Sequence, residues 1–411
     1  MKTVFCVAYG GGHITIVDLV CRELAQRGDL RFRILALTAA YAQVVDRYPA
    51  GTVRRISDYL PLFDDRLDEV LDHGRRLAAE HHNPKGPVPR IESIAYLGLS
   101  YSDLVRDLGP EGAAERYRER ARQAFLPVET LRRILESEQA DIVLSTTSPR
   151  CEQAAIRAGN ALGLQTVQIL DLFGELYPLP EARHVVTSDD DSIATLQAQG
   201  ITSCRFHNLG QPVFDDTARR TAAIDGDALR TRLAIPHGAP VVLMATTPPC
   251  RFRDDFSIHS SIPHETIGPQ IFGALDAIHR ERGAAVLLRH HPNERLEDYA
   301  PWLAAHPHIR PINAALDLCE SLAIADVVVT SYSTIAVQAE ACGKPAVTYN
   351  HLRGDRFPLP RVMRPPYHFA ADLSELQSRI ATALDSASHR QATGAGDRDS
   401  ARRICDLLAS L

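Results

Sequence analysis

The chain has no CxxC pair. Its eight cysteines, Cys6, Cys21, Cys151, Cys204, Cys250, Cys319, Cys342 and Cys405, lie at long, irregular spacings. That excludes a zinc ribbon and a thioredoxin-type centre. Most sit among apolar residues, where a reduced cysteine packs as a small hydrophobe. No apolar stretch reaches the roughly 18 residues that a membrane span needs. Met1-Lys2-Thr3 runs straight into a strand-like segment, so no signal peptide is expected and a reducing cytoplasm is the expected compartment. Excess charge is missing too: 45 Lys and Arg stand against 51 Asp and Glu, a formal net charge of −6. This balance argues against a protein that coats nucleic acid or an anionic membrane, while leaving room for a local basic pocket. Neither a short repeat nor a low-complexity tract occurs.

What is present is an alternation of strands and helices. With 411 residues, 45% hydrophobic and 23% charged, the chain has the length and composition of two globular domains. Val4–Ala8 is a short apolar run of the kind that forms a buried parallel strand. Gly10-Gly11-Gly12-His13 follows, then a helix carried by Ile14, Val17, Cys21 and Leu24, and a strand over Phe32–Leu37. Between Arg54 and Glu138 the sequence turns to long charged helical segments, Arg66–Glu80 and Glu111–Glu138, broken by the Pro/Gly-rich stretch Asn83–Pro89. The α/β rhythm then resumes with strands Asp141–Leu144, Thr166–Leu170 and Val185–Thr187, and the turn Gly210-Gln211-Pro212 closes the first domain. Strands over Val241–Ala245, Ala285–Leu288, Asp326–Thr330 and Ala346–Tyr349 alternate with helices in the second. The expected fold is α/β: two Rossmann-like, doubly wound domains facing across a cleft. The first spans 1–214 with a helical insertion at about 51–138, and the second spans 215–411. A last helix, Asp399–Leu411, is placed to pack back on the first.

Open parallel sheets bind ligands at the carboxyl ends of their strands, so the loops there hold the candidate chemistry. In Gly10-Gly11-Gly12-His13, glycines let backbone approach a ligand, and the helix behind offers free N–H groups. A dinucleotide fingerprint is excluded because the third glycine is missing. His13 reads either as part of a tight turn or as a general base aimed into the cleft. Its carboxylate partner would be Asp171 or Glu175. Arg289-His290-His291-Pro292-Asn293-Glu294 is a positive loop suited to phosphate. Adjacent residues of an extended segment face opposite ways, so one histidine, His291, is expected to serve. No HxxxH or HxH spacing supports a compact metal site here, and the 17 His and 51 acidic residues form no spacing that demands a metal. Ser331, Ser333 and Thr334 open a helix bearing Gln338, where hydroxyls and N–H groups suit either a phosphate cradle or a cap. Thr246-Thr247-Pro248-Pro249 follows the first strand of the second domain. Asp189-Asp190-Asp191 precedes a helix, whose dipole its acids complement, and is read as a cap, not a metal site.

Together these residues resemble the GT-B class of nucleotide-sugar glycosyltransferases. The run from Val4 to Thr38 with G-G-G-H looks like the acceptor-domain start of natural-product and lipid-intermediate glycosyltransferases. The segment from Ser333 to Pro345 is similar to the S-[ST]-x-x-x-E-x-x-x-x-G-K-P stretch of bacterial capsule and cell-wall transferases. His291-Pro292 matches their His-Pro pair, and Leu209–Asp215 resembles their domain-junction turn. Gln338 stands where the family carries a ribose-binding Glu, a departure that substitutes an amide for a carboxylate.

The resemblance implies a metal-independent glycosyltransferase with no cofactor beyond its nucleotide-sugar donor. His13 would be the base for an acceptor hydroxyl, with Asp171 or Glu175 behind it. Gly11, Gly12, Thr246, Thr247, Arg289, His291, Pro292, Ser331, Ser333, Thr334 and Gln338 would hold the donor. Acceptor, donor nucleotide, stereochemical outcome and a homodimer all stay open. The alternatives are a nucleotide-sugar 2-epimerase or hydrolase of the same build, or a non-catalytic nucleotide-sugar-binding protein. Against the epimerase, its D-S-G-G-x-x-E-E signature is absent; Thr330-Ser331-Tyr332-Ser333 stands there.

Overall fold

The computed structural model describes residues 1–174, 178–247, 264–292, 294–331, 333–350, 360–387 and 399–411. Contacts divide the chain into two compact units. The first holds Met1–Gly174, Pro178–Val213 and Asp399–Leu411, and the second Phe214–Arg398.

Unit 1 is built on seven parallel strands: β1 (Thr3–Ala8), β2 (Arg31–Ala36), β3 (Val53–Arg54), β4 (Ile142–Thr146), β5 (Gln165–Ile169), β6 (His184–Thr187) and β7 (Arg205–Asn208). Their order is β3-β2-β1-β4-β5-β6-β7, so the winding reverses between β1 and β4, where Val4 pairs with Ile142 and Val7 with Ser145. Both faces of the sheet are covered, which is why the central strands read as continuous apolar runs. Alternate side chains serve opposite layers. Phe5, Val7 and Leu35 join a core with Val70, Leu99 and Leu131 of the insertion. Val4, Cys6 and Ile34 face Val17, Val20 and Leu24 of helix Gly12–Arg27. Ile404 and Leu408 of the terminal helix Ser400–Ser410 complete that second layer, both fully buried. Arg27 pairs with Asp406 at 2.6 Å on the rim of this contact.

The insertion differs from its expected division. A helix over Leu67–His81 and one over Arg90–Arg120 flank the Asn83–Pro89 break. The second runs through Gly109-Pro110 with a kink at Gly109, φ +72°. The segment expected to be helical over Glu111–Glu138 is interrupted near Phe125–Pro127 and restarts as Val128–Ser137. Proline explains both changes: at position 110 it kinks a helix held by packing, and at 127 it stands where the next helix begins. Helices Leu67–His81 and Arg90–Arg120 touch backbone to backbone. A Cβ on Gly98 would collide with the Val70 carbonyl, and one on Gly74 with that of Ile94.

Unit 2 repeats the plan with six parallel strands, β8 (Val241–Ala245), β9 (Ala285–Arg289), β10 (Ile309–Pro311), β11 (Val327–Thr330), β12 (Ala346–Tyr349) and β13 (His368–Ala370). Their order is β10-β9-β8-β11-β12-β13, reversing at β8. The helix Leu318–Ile324 begins where Asp317 and Glu320 form a capping box.

Candidate active site

In unit 1 the winding reversal puts the loop after β1 beside the end of β4, the place where open α/β sheets take ligands. Gly11 sits at φ +80° and Gly12 opens the helix; at neither position would a Cβ meet another atom within 4 Å. His13 stands in the first helical turn. Its Nδ1 lies 2.7 Å from the Thr146 hydroxyl and 3.5 Å from Asp171 Oδ2. The Thr146 hydroxyl itself donates to Glu152 Oε2 at 2.5 Å. Its proton is thereby committed, so its oxygen accepts from His13 Nδ1–H. This assignment makes Nε2 the basic nitrogen of the imidazole.

Glu152, one residue into helix Cys151–Ala161, is fully buried. It accepts from the backbone N–H of Tyr9 at 2.9 Å and of Thr146 at 3.0 Å. One carboxylate thus ties the glycine loop to the end of β4. Burial pushes its carboxyl above the ordinary range, while the nearby His13 and the Thr146 and Tyr9 bonds pull the other way. Asp171, just past β5, is fixed by the Thr147 hydroxyl, which donates to Oδ1. Of the two carboxylates expected beside His13, Asp171 is there, and Glu175 lies outside the described residues. Glu152 is the member that sequence reasoning missed. Its signal was an acid one position into a helix of Cys151, Ala154, Ala155 and Ile156, which reads as an ordinary dipole complement.

A second chain of contacts leads from the same loop into the insertion. The Tyr9 hydroxyl lies 3.0 Å from that of Tyr96 and accepts from Cys151 N–H at 3.2 Å. Tyr96 lines a cavity of about 220 Å³ together with Thr38, His81, His82, Ser93 and Arg122.

In unit 2 the nominated residues lie on the carboxyl ends of β8, β9 and β11, but most are turned into the scaffold. Glu294 is the hub. It receives the Thr246 hydroxyl, His291 N–H at 3.0 Å and the Tyr299 hydroxyl at 2.7 Å. Burial lowers the His291 imidazole pKa, with Glu294 opposing. Arg289 donates to the Leu316 carbonyl at 2.9 Å and lies 3.4 Å from the Ser321 hydroxyl. Ser331 donates to the Tyr349 carbonyl at 3.0 Å. Thr247 approaches Thr330 at 3.5 Å, whereas Pro248 and Pro249 lie outside the described residues. Ser333 accepts from Ile335 N–H at 3.4 Å, and Thr334 makes no side-chain cap bond. Gln338 is buried and donates to Thr217 at 3.3 Å. Pro292 is exposed. Asp189 caps its helix by accepting from Ser192 N–H at 2.8 Å.

Comparison with solved structures decides the fold. The UDP-GlcNAc 2-epimerase from Neisseria meningitidis, bound to UDP-GlcNAc, matches with a TM-score of 0.63 at 12% identity, both chains covered in full. The corresponding enzyme from Methanocaldococcus jannaschii gives 0.61 at 12%, again with full coverage of both chains. The chain has the GT-B fold. Acinetobacter baumannii MurG also matches over both full chains, with a TM-score of 0.51 and 10% identity. Residues 183–354 match the family model described as CDP-glycerol:poly(glycerophosphate) glycerophosphotransferase. No curated protein sequence matches the chain. At these identities the likeness is one of GT-B architecture, and the chemistry rests on the residues just described. Among the described residues no helix is long and apolar enough to cross a membrane.

Proposed function

We propose that the chain is a group transferase that moves a glycosyl group from a nucleotide-sugar donor to an acceptor hydroxyl. The observation that carries this reading is the orientation of His13: Nδ1–H is held by Thr146 and Asp171, leaving Nε2 basic. Nε2 takes the hydroxyl proton as the acceptor oxygen bonds to the anomeric carbon. The bond from that carbon to the donor phosphate breaks, and the nucleoside diphosphate leaves with the electron pair. Glu152 and Asp171 stabilise the imidazolium that forms. The cavity lined by Tyr96 and Arg122 suits part of the acceptor. Unit 2 serves the donor, with the Glu294-braced loop of His291 and the ends of β8 and β11 around it.

The family-model match over residues 183–354 favours a second reading, in which the donor is CDP-glycerol and glycerophosphate is transferred. A third follows from the two epimerases of like fold. One experiment separates them. The chain is incubated with UDP-sugars and CDP-glycerol, with and without an acceptor panel. Acceptor-dependent UDP release supports glycosyl transfer, and acceptor-dependent CMP release from CDP-glycerol supports the second reading. Conversion of the sugar without acceptor supports an epimerase and overturns the transferase.

A further inference from the structure

Beyond the transferase site, unit 2 brings together two histidines and an aspartate from separate elements. Asp276 lies on helix His264–Arg282, and His306 and His308 lie on the turn entering β10. Asp276 Oδ1 is 3.7 Å from His306 Nδ1 and 3.5 Å from His308 Nε2. One ligand atom from each residue lies within 4.8 Å of the others. His308 Nε2 is buried and has no hydrogen-bond partner among the described residues, a costly state for a ring nitrogen unless something occupies its lone pair.

The surroundings hold the three groups in place. Arg280 takes Asp276 Oδ2 at 2.8 Å, which turns Oδ1 toward the imidazoles. The His279 ring stacks on that of His308, with centroids 4.2 Å apart and planes 12° from parallel. His279 is itself fixed by donating from Nδ1 to the Ala284 carbonyl at 2.8 Å. His306 rests against Phe272 at 5.8 Å between centroids. Around a tetrahedral zinc with bonds of about 2.0–2.1 Å, neighbouring ligand atoms stand roughly 3.3 Å apart. The two separations from Asp276 need only a few tenths of an ångström of closure, and the two ring nitrogens lie within 4.8 Å of each other. Two imidazoles and one carboxylate select a borderline divalent ion such as Zn²⁺ over Ca²⁺ or Mg²⁺, which want oxygen alone.

We propose that Asp276, His306 and His308 bind a zinc-class divalent cation, with water in the fourth position. The site lies at the amino end of β10, whereas Thr246 and His291 lie at the carboxyl edge of the same parallel sheet. Its role is therefore structural: it clamps helix His264–Arg282 to the sheet's edge strand. His306-Pro307-His308 is an HxH pair, and its approach to Asp276 runs against the expectation that no spacing of His and acidic residues in the chain demands a metal.

The test is zinc titration of the full-length, tag-free chain by calorimetry, with circular dichroism as the check on folding. Wild type is expected to bind one equivalent that Asp276→Asn and His308→Gln each lose or weaken at least tenfold. His237→Ala, at an exposed histidine elsewhere, should retain it. Cobalt(II) loaded alone should give the visible bands of a four-coordinate nitrogen/oxygen site in wild type and not in the two variants. Wild-type stoichiometry and affinity in both variants, or no zinc bound by the wild type at tenfold excess, would overturn the proposal.

Discussion

The carboxyl edges of the two sheets both carry polar side chains and use them in opposite ways. In unit 1, Thr146 and Asp171 meet a single imidazole, and Glu152 braces Thr146 from behind. In unit 2, Arg289, Ser331, Gln338 and Thr246 spend their side chains on the scaffold, on Leu316, Tyr349, Thr217 and Glu294. The first pattern suits proton transfer, where one group needs a defined tautomer. The second suits a rigid frame whose backbone and a few ring atoms meet a ligand. Two parallel sheets that share their winding over six strands are thus specialised by where their polar side chains end, not by which residue types their loops contain.

The sharpest way to break this contrast is at His13. His13→Ala should lower the transfer rate by about 10²–10⁴, the usual worth of a positioned general base. Donor affinity should stay within about twofold, and turnover near wild type would end the base assignment. Glu152→Gln comes next. It keeps the shape but removes the charge behind Thr146, so the rate should fall roughly ten- to hundredfold. Stability should fall by about 1–3 kcal/mol, because Gln keeps one acceptor oxygen where Glu152 gives two, leaving either the Tyr9 or the Thr146 backbone N–H facing an amide NH2.

That variant also carries a pH signature. The Glu152 carboxyl titrates above its ordinary range because it is buried, so the folded chain binds this proton more tightly than the unfolded one. The stability linked to it is present at acidic pH. It is lost as pH rises from the ordinary carboxyl range through the raised folded value. Denaturant unfolding from pH 4 upward should show a shallower decline for Glu152→Gln than for wild type, and parallel curves would refute the assignment.

Gly98→Ala tests the platform beneath unit 1. The collision with the Val70 carbonyl should cost about 1–3 kcal/mol in unfolding experiments, while nucleotide binding by unit 2 persists below the transition. The smallest effect is expected in unit 2. Arg289→Met should cost about 1 kcal/mol of stability through the lost bond to Leu316. Nucleotide affinity should change less than threefold, since the guanidinium is committed to the scaffold. A tenfold loss would mean that Arg289 meets the ligand, and the contrast would fail at that residue.

Much of this fold was legible because buried parallel strands announce themselves. Val4–Ala8 and Val241–Ala245 are unbroken apolar runs followed by helical periodicity, and both became central strands. Short edge strands gave no such signal. β3 has two residues, β10 ends in Pro311, and β13 holds His368 and Phe369 at intermediate burial. Their strand state comes from the neighbour they pair with, not from their own pattern. At the site, His13 and Asp171 were readable because each follows a strand at its carboxyl end. Glu152 was not, since helix-starting acids are common and only the tertiary fold reveals that this one is buried against Tyr9 and Thr146. Arg289 and Ser331 had the right chemistry at the right strand ends. Their direction was set by carbonyls of distant segments, information that no local pattern contains.

In the proposed function, unit 2 receives a nucleotide donor independently of the base in unit 1. Titrating wild type and His13→Ala with a panel of nucleoside mono- and diphosphates, followed by thermal unfolding, tests it directly. At least one nucleoside diphosphate should stabilise both proteins equally, by about 2.7 kcal/mol at a hundredfold excess over Kd. A panel that leaves both proteins unchanged, or that stabilises only the wild type, would contradict it.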